Sequence, residues 1–204
     1  MKHDESLSQA ATSPALGAEL SPDALPRLVE LETLLRERAI PLGLIAQSDA
    51  PRIRERHILD SLRAAAAVRD TDTLAYDIGS GAGLPGLVIA LARPRLHVVL
   101  VEPRRSRAAF LEYAVERLEV ANASVRIERI QDVLGPCDLC FARAFAPLPD
   151  AWRVALPLLR PEGRLVYFAG SRIEVPCVLP GASAVRELET SVLESAGSLI
   201  IMIR

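Results

Sequence analysis

The sequence predicts one α/β domain built on a mainly parallel sheet with helices on both faces. Short apolar segments recur between residues 74 and 203, and helical segments separate most of them. This strand–helix–strand order is typical of parallel sheets. The chain has 204 residues, half of them hydrophobic, so it can bury one sizeable core but is too short for two independent domains.

The N-terminal part differs in composition from the rest of the chain. Residues 1–21 are polar and small and show no hydrophobic period, so they are predicted to be a disordered leader. The domain is expected over residues 22–204. Within it, residues 22–70 are predicted to form an N-terminal helical extension, and residues 74–204 the core that contains the sheet.

Two helices are expected before the first strand. Leu28, Leu31 and Leu35 recur at helical spacing with charged residues between them, which predicts an amphipathic helix. A second helix follows the sequence SDAP, in which Ser48 or Asp49 can cap the helix start, and runs through RIRERHILDSLRAAAAV.

Strands and helices then alternate. Strands are predicted at 74–78, 97–102, 124–130, 138–142, 164–168 and 198–203, with a weaker one at 184–188. Helices are predicted at 84–92, 105–119 and about 150–159.

Composition limits the function classes. No apolar run approaches the roughly 20 residues needed to cross a bilayer, and the N-terminus lacks the apolar core of a signal peptide, so a soluble, cytoplasmic protein is expected. The net charge of -2 argues against non-specific coating of nucleic acid. Arginines nevertheless cluster at 52–56 and 104–107, where they either hold phosphates or form solvated helix faces.

The three cysteines do not indicate a metal site. Cys137 and Cys140 form a C-x-x-C pair that runs into an apolar strand, and no second pair of ligands accompanies them. Buried free thiols are expected, and no metal is predicted.

The stretch LAYDIGSGAGLPGLVIALA places Gly79, Gly81 and Gly83 between the first strand and its helix. Ligands of open parallel sheets bind there, outside the carboxyl ends of the strands. Glycine permits positive φ and lets a ligand approach the main chain. A tight turn would explain one or two of these glycines but not all three, so the loop is predicted to bind a ligand, with Pro85 in the first turn of a helix whose free N–H groups face it.

Two ligand classes fit the loop. Residues 81–86 match the dinucleotide pattern G-x-G-x-x-G. Residues 77–83, with Asp77 before the first glycine, resemble instead the motif of class I methyltransferases, which bind S-adenosylmethionine. Glu102, at the end of the second strand, can accept hydrogen bonds from both ribose hydroxyls, or it is a solvated strand end.

Four segments together resemble a narrower family. RHILDSL at 56–62, DIGSGAGLPGLVIA at 77–90, RAAFLEYAVERLEVANASV at 107–125 and ARAFAPL at 142–148 follow the order and spacing of the RsmG (GidB) family of bacterial methyltransferases. The resemblance implies a Rossmann-like class I methyltransferase fold, S-adenosyl-L-methionine as cofactor, and methylation of N7 of a guanine in 16S ribosomal RNA, free or in the small-subunit particle. We expect a monomer without membrane contact.

The resemblance also implies residue roles. Gly79 and Leu84 would contact the cofactor, in the loop that Gly81 and Gly83 complete; Glu102 would hold its ribose, the Ile130-Gln131 backbone would flank its adenine, and Arg143 would close the pocket. No catalytic side chain is expected, because a sulfonium methyl is electrophilic and guanine N7 carries a free lone pair. His57 and Asp60 lie three apart on one helical face, as an acid/base pair would, but they are expected instead to orient the helix against the cofactor loop through hydrogen bonds.

The sequence departs from the family at three places. GLIAQ replaces the usual N-L-T stretch, Ser106 stands where a lysine is expected, and Phe168-Ala169-Gly170 replaces a lysine-glycine pair. These changes remove polar or cationic groups that could touch cofactor or RNA. Two alternatives therefore stay open, a dinucleotide-dependent oxidoreductase and a degenerate methyltransferase fold that acts as a binding module.

Overall fold

The structure is a computed structural model of the chain. It describes residues 7, 20–21, 23–171, 173–176, 178–188, 190, 193 and 196–204. Of the predicted leader, Leu7, Leu20 and Ser21 are described, and Leu7 is buried in the hydrophobic core. The remainder of the predicted leader, and Cys177, lie outside the described residues.

The described residues form one seven-stranded sheet in the order β3-β2-β1-β4-β5-β7-β6. The first five strands in this order are parallel, whereas β7 runs antiparallel to both β5 and β6. All seven predicted strands, including the weak one, are confirmed, and so is the mainly parallel α/β class. The strands are β1 (Leu74–Ile78), β2 (His97–Val101), β3 (Ala123–Arg126), β4 (Cys137–Arg143), β5 (Leu159–Phe168), β6 (Ala184–Glu187) and β7 (Leu199–Ile203).

The helices precede and separate the strands as predicted, but the second is irregular. They are α1 (Ala24–Leu34, continued by a π-helical turn at Leu35–Ala39), α2 (residues 47–67), α3 (Gly86–Ala92), α4 (Arg105–Arg117) and α5 (Leu148–Ala155). Within α2, 3₁₀-helical turns flank a π-helical and a short α-helical segment. The helix begins at Gln47, before the predicted capping residues Ser48 and Asp49, so Pro51 lies inside its first 3₁₀ segment.

The sheet separates two hydrophobic clusters. Alternate residues of β1 show this, because Ala75 packs into the cluster with α1 to α4, while Tyr76 packs into the cluster with α5. Helices therefore cover both faces. Cys137 and Cys140 lie in the α5 cluster as buried free thiols, as predicted, with their Sγ atoms 3.5 Å apart.

A buried ion pair lies on β5, near the sheet edge where β1 begins. Arg164 of β5 donates from Nη2 to Asp72, just before β1, and to the carbonyl of Ala67 at 3.2 Å. Both charged side chains are almost fully buried, with 2% of Arg164 and 6% of Asp72 exposed. Each charge therefore needs the other, because a buried charge without a partner is strongly disfavoured.

Asp72→Asn is expected to lower the free energy of unfolding by about 3–5 kcal/mol, because it leaves the Arg164 charge buried without a counter-charge. Urea denaturation measures the loss. The matched control is Asp150→Asn, which breaks the exposed 2.8 Å pair with Arg153 and should cost less than about 1 kcal/mol. Equal, small losses for the two variants would contradict the assignment.

Candidate functional site

Strand register brings three predicted site residues into one row. Ile78, the last residue of β1, pairs with Val101 of β2 and with Ala142 of β4. The residues that follow these three are Gly79, Glu102 and Arg143. The row lies at the carboxyl ends of the strands, where the strand order reverses between β1 and β4, which is where open α/β sheets bind ligands.

The loop after β1 requires its glycines. Gly79, Gly81 and Gly83 have φ angles of 70°, 57° and 83°, in the left-handed region that side chains with a Cβ rarely adopt. The Gly79 amide donates to the Val101 carbonyl at 2.9 Å and so fixes the loop on β2. A Cβ built on Gly83 would lie 2.4 Å from Leu87 Cδ1, so packing also excludes a side chain there.

Glu102 faces the glycine loop and is not a solvated strand end. Its side chain is buried, with 3% of the residue exposed. Oε2 accepts a hydrogen bond from the Gly81 amide at 3.2 Å, and Oε1 accepts one from the Arg104 amide at 2.9 Å. Since each carboxylate oxygen has two acceptor positions, the group keeps capacity for further donors.

Asp77 fastens the start of α3 to the end of β1. Its Oδ2 accepts a hydrogen bond from the Gly86 amide at 3.1 Å, and a Cβ on Gly86 would lie 2.5 Å from that oxygen. Burial raises the pKa of Asp77 to about 7. The expectation that the free N–H groups of this helix face the pocket is therefore wrong for Gly86. The helix also begins at Gly86, two residues later than predicted.

Arg143 binds α2. Its Nη1 donates to Ser61 Oγ at 3.1 Å, and its Nη2 donates to the Arg56 carbonyl at 2.5 Å and lies 3.2 Å from Asp60 Oδ2. The guanidinium also stands over the ring of Phe168, 5.7 Å from its centroid. The side chain thus attaches the helical extension to the carboxyl edge of the sheet.

His57 and Asp60 do not pair with each other, and their described partners lie on α2 and β4 rather than in the glycine loop. His57 Nε2 lies 3.2 Å from Asp49 Oδ2, and Asp60 pairs with Arg63 and Arg143. Burial, helped by the charge of Arg143, lowers the pKa of His57 to about 4, so the ring is neutral at pH 7. Asp49, which the sequence suggests only as a helix cap, is instead the partner of this ring.

One arginine of the two predicted phosphate-binding clusters is not available to a ligand. Arg54 is buried and bonds a carboxylate of α1, so it cannot reach a phosphate. Arg52 and Arg56 keep more than half of their side chains exposed, and Arg104 and Arg105 are exposed as well. Four arginines of the two clusters thus stay open to solvent.

Ile130 and Gln131 form a 3₁₀ turn, so the strand predicted to reach residue 130 ends early, at Arg126. The turn borders a cavity of about 640 Å³, which continues along the last turns of α5 at Arg153 and Val154. Of the other predicted cofactor residues, all of which are described, none lines this cavity.

Sequence reasoning missed Phe145, in the loop that follows β4. A Cβ built on Gly79 would lie 3.0 Å from Phe145 Cδ2, so the ring stands directly beside the glycine loop. The available signal was an aromatic residue shortly after a strand that ends at the reversal of strand order.

The described residues hold neither a metal cluster nor a helix that could span a membrane. No group of three or more His, Cys, Asp and Glu side chains in this part of the chain is arranged to hold a metal ion. None of its helices is both long enough and apolar enough to span a bilayer.

Known proteins resemble the chain in sequence. The ribosomal RNA small subunit methyltransferase G of Salinispora arenicola is 43% identical over 161 residues, which cover 73% of this chain and 65% of that protein. The protein of the same name from Clavibacter michiganensis subsp. michiganensis is 38% identical over 163 residues, which cover 79% of this chain and 76% of its own length. The match therefore spans slightly less than two thirds of the Salinispora protein.

A solved structure of a Corynebacterium glutamicum protein matches with a TM-score of 0.58 at 17% identity, covering 85% of this chain and 89% of that one. At this identity the likeness shows the fold alone. The model of the GidB family, described as rRNA small subunit methyltransferase G, matches residues 25–178. The chain therefore belongs to the rRNA small subunit methyltransferase G (GidB) family.

Proposed function

We propose that the protein is an S-adenosylmethionine-dependent methyltransferase that methylates N7 of a guanine in 16S ribosomal RNA, either free or in the small-subunit particle. The observation that carries this proposal is the buried carboxylate of Glu102, held against a loop of three left-handed glycines at the carboxyl edge of the sheet. The names of the relatives in the family support ribosomal RNA as the substrate class.

The residues at the edge fit a nucleoside with a cationic tail. Glu102 has acceptor positions left for two ribose hydroxyls, and Gly81 presents uncrowded main chain, whereas the Phe145 ring stands beside Gly79. Leu84, which is nearly buried beside them, offers an apolar contact. We propose that the turn at Ile130 and Gln131 flanks the adenine. Arg143 closes the pocket by attaching α2 beside it.

When bound, the cofactor supplies an electrophilic methyl group on a sulfonium. The chain itself then has to align the acceptor and exclude water, because guanine N7 already carries the lone pair that attacks. His57 is neutral and bound to Asp49, which fits a positioning role. The proposed reaction needs no strong general base.

The substrate chemistry sets a requirement on the RNA. N7 of a guanine in an A-form helix faces a deep and narrow groove, so the target must lie in a loop or be turned out of the helix. We assign phosphate contacts to the four exposed arginines, Arg52, Arg56, Arg104 and Arg105. We also propose that a monomer acts, in the cytoplasm.

The dinucleotide alternative fits less well. Gly86 packs closely against Leu100 and Asp77, as the third glycine of that pattern would, but the family match over residues 25–178 supports methyl transfer instead. The binding-module alternative rests on Ser106 and Ala169, where the family resemblance predicts lysines. Each alternative predicts a different result from methyl transfer in the experiment that follows.

Calorimetric titration with S-adenosylmethionine, followed by methyl transfer to 16S ribosomal RNA from a strain that lacks this gene, tests the proposal. We expect binding and a new N7-methylguanine, detected by chemical cleavage at that base. Binding without transfer to free RNA or to small-subunit particles would favour the binding module. The oxidoreductase would be favoured if S-adenosylmethionine does not bind and if the protein changes the fluorescence of a nicotinamide dinucleotide.

Glu102→Gln is expected to weaken S-adenosylmethionine binding by about 10- to 100-fold, because the amide nitrogen cannot accept a hydrogen bond and bonds to the remaining oxygen are no longer charge-assisted. Calorimetry measures the change, and a thermal melt checks folding. Glu128→Gln is the matched control, since Glu128 lies just past β3 and bonds only Arg126 among its described side-chain contacts. Equal affinities for the two variants would show that Glu102 does not hold the ribose.

Asp77 is the second acid of the proposed pocket, and its burial has an effect on stability. Its pKa is about 7 in the folded protein, against an ordinary value of 3.8. Between these values the folded state binds a proton that the unfolded state has lost, so this group makes stability fall as pH rises. Nearby Glu102 adds to the rise in pKa, and Arg143 opposes it.

Asp77→Asn is therefore expected to gain stability relative to the wild type by about 1 kcal/mol per pH unit between pH 5 and pH 7, with no further gain above that range. Urea denaturation at a series of pH values measures the difference. Asn keeps an oxygen for the Gly86 amide, so the helix attachment is retained. A stability difference independent of pH would mean that Asp77 titrates normally.

A further inference from the structure

We propose that Phe145 binds the target base, with the exposed face of its ring stacked on the guanine that is methylated. This inference rests on the proposed function and adds to it the residue that positions the acceptor.

The position of Phe145 is the first argument. The residue lies in the loop between β4 and α5, and its Cδ2 would be 3.0 Å from a Cβ on Gly79. The ring is half-buried, and its buried part packs against the hydrophobic cluster that contains α5. The exposed part is therefore an apolar surface beside the loop to which we assign the cofactor.

The loop that carries Phe145 is held in a disfavoured conformation. Ala144, the preceding residue, has a φ of 50°, which a residue with a side chain rarely adopts. Tyr167 of β5 donates from its hydroxyl to the Ala146 carbonyl at 3.1 Å and fixes the residue on the other side. Strain of this kind persists where surrounding contacts determine the backbone, and it is concentrated at functional sites.

The other aromatic residues cannot serve this role. All eight are described, and Phe145 is the half-exposed ring in a loop at the carboxyl edge. Tyr113 is exposed, but it lies on α4 with the guanidinium of Arg38 5.8 Å from its ring. Tyr167 is half-buried and its hydroxyl is bonded to the Phe145 loop. The remaining rings, Tyr76, Phe110, Phe141, Trp152 and Phe168, are buried.

The chemistry of the substrate requires such a surface. A guanine that leaves its helix loses stacking on its neighbours, and proteins that bind unstacked bases replace this contact with aromatic rings. A phenyl face fixes the plane of the base while leaving its edge free. The N7 edge can then point along the sheet edge, toward the loop of Gly79 and Gly81.

Phe145→Leu removes the ring and tests the proposal, whereas Phe145→Trp keeps an aromatic face at the same position. Tyr113→Leu is the control for loss of an exposed ring elsewhere. Using 16S ribosomal RNA from the strain that lacks this gene, we expect Phe145→Leu to lower kcat/KM by about 10- to 100-fold, mainly through KM for RNA. Phe145→Trp should restore most of this loss, and Tyr113→Leu should have no effect. Calorimetry should give unchanged affinity for S-adenosylmethionine in all three variants.

Three outcomes would overturn the inference. Unchanged RNA kinetics in Phe145→Leu would show that the ring does not contact the base. Equal impairment by Leu and Trp would indicate a packing role, and a matching loss of cofactor affinity would indicate that the ring supports the glycine loop. A wild-type protein that transfers no methyl group would reject the proposed function and this inference together, whereas an active wild type with any of the three outcomes rejects the inference alone.

Discussion

The hydrogen bond between the Gly81 amide and the buried carboxylate of Glu102 joins the two parts of the candidate site. It connects the end of β2 to the loop after β1, and it forms only if the loop turns back through left-handed φ angles. A residue with a Cβ at those positions would be strained, so the bond accounts for the spacing of the glycines. The carboxylate keeps a fixed orientation before any ligand arrives, which reduces the cost of ordering the site on binding.

Two further contacts extend this fixed edge to the neighbouring elements. Asp77, on β1, holds the start of α3, and Arg143, on β4, holds α2 through Asp60 and Ser61. Each of the central strands β1, β2 and β4 therefore has a polar residue at or next to its carboxyl end, and each of these residues binds a different segment of the chain. The row is preorganised by contacts within the chain, and preorganisation of this kind is the main contribution that a methyltransferase makes when its acceptor needs no strong base.

Local patterns predicted the individual strands and the glycine loop, because both depend on residues that are close in sequence, and the predicted end of β2 placed Glu102 at the carboxyl edge. Boundaries that depend on a partner strand could not be predicted in this way. The sequence SVRIERI continues to alternate to residue 130, but β3 ends at Arg126 because its partner β2 ends at Val101. The partners of Arg143 and the position of Phe145 could not be predicted either. They arise only when segments more than 60 residues apart in sequence meet at the sheet edge.

Replacement of the family lysine by Ser106 does not leave this end of the site without positive charge. Ser106 is exposed at the start of α4, whereas the next residue, Arg107, places Nη1 3.9 Å from Glu102 Oε2. Arg104 and Arg105 are exposed beside it. The cationic character at this end of the site is thus supplied by three arginines, one beside the carboxylate and two facing solvent. Because arginine binds phosphate through a planar fork, this arrangement retains the chemistry that contact with RNA needs, and it favours an active enzyme over a degenerate binding module.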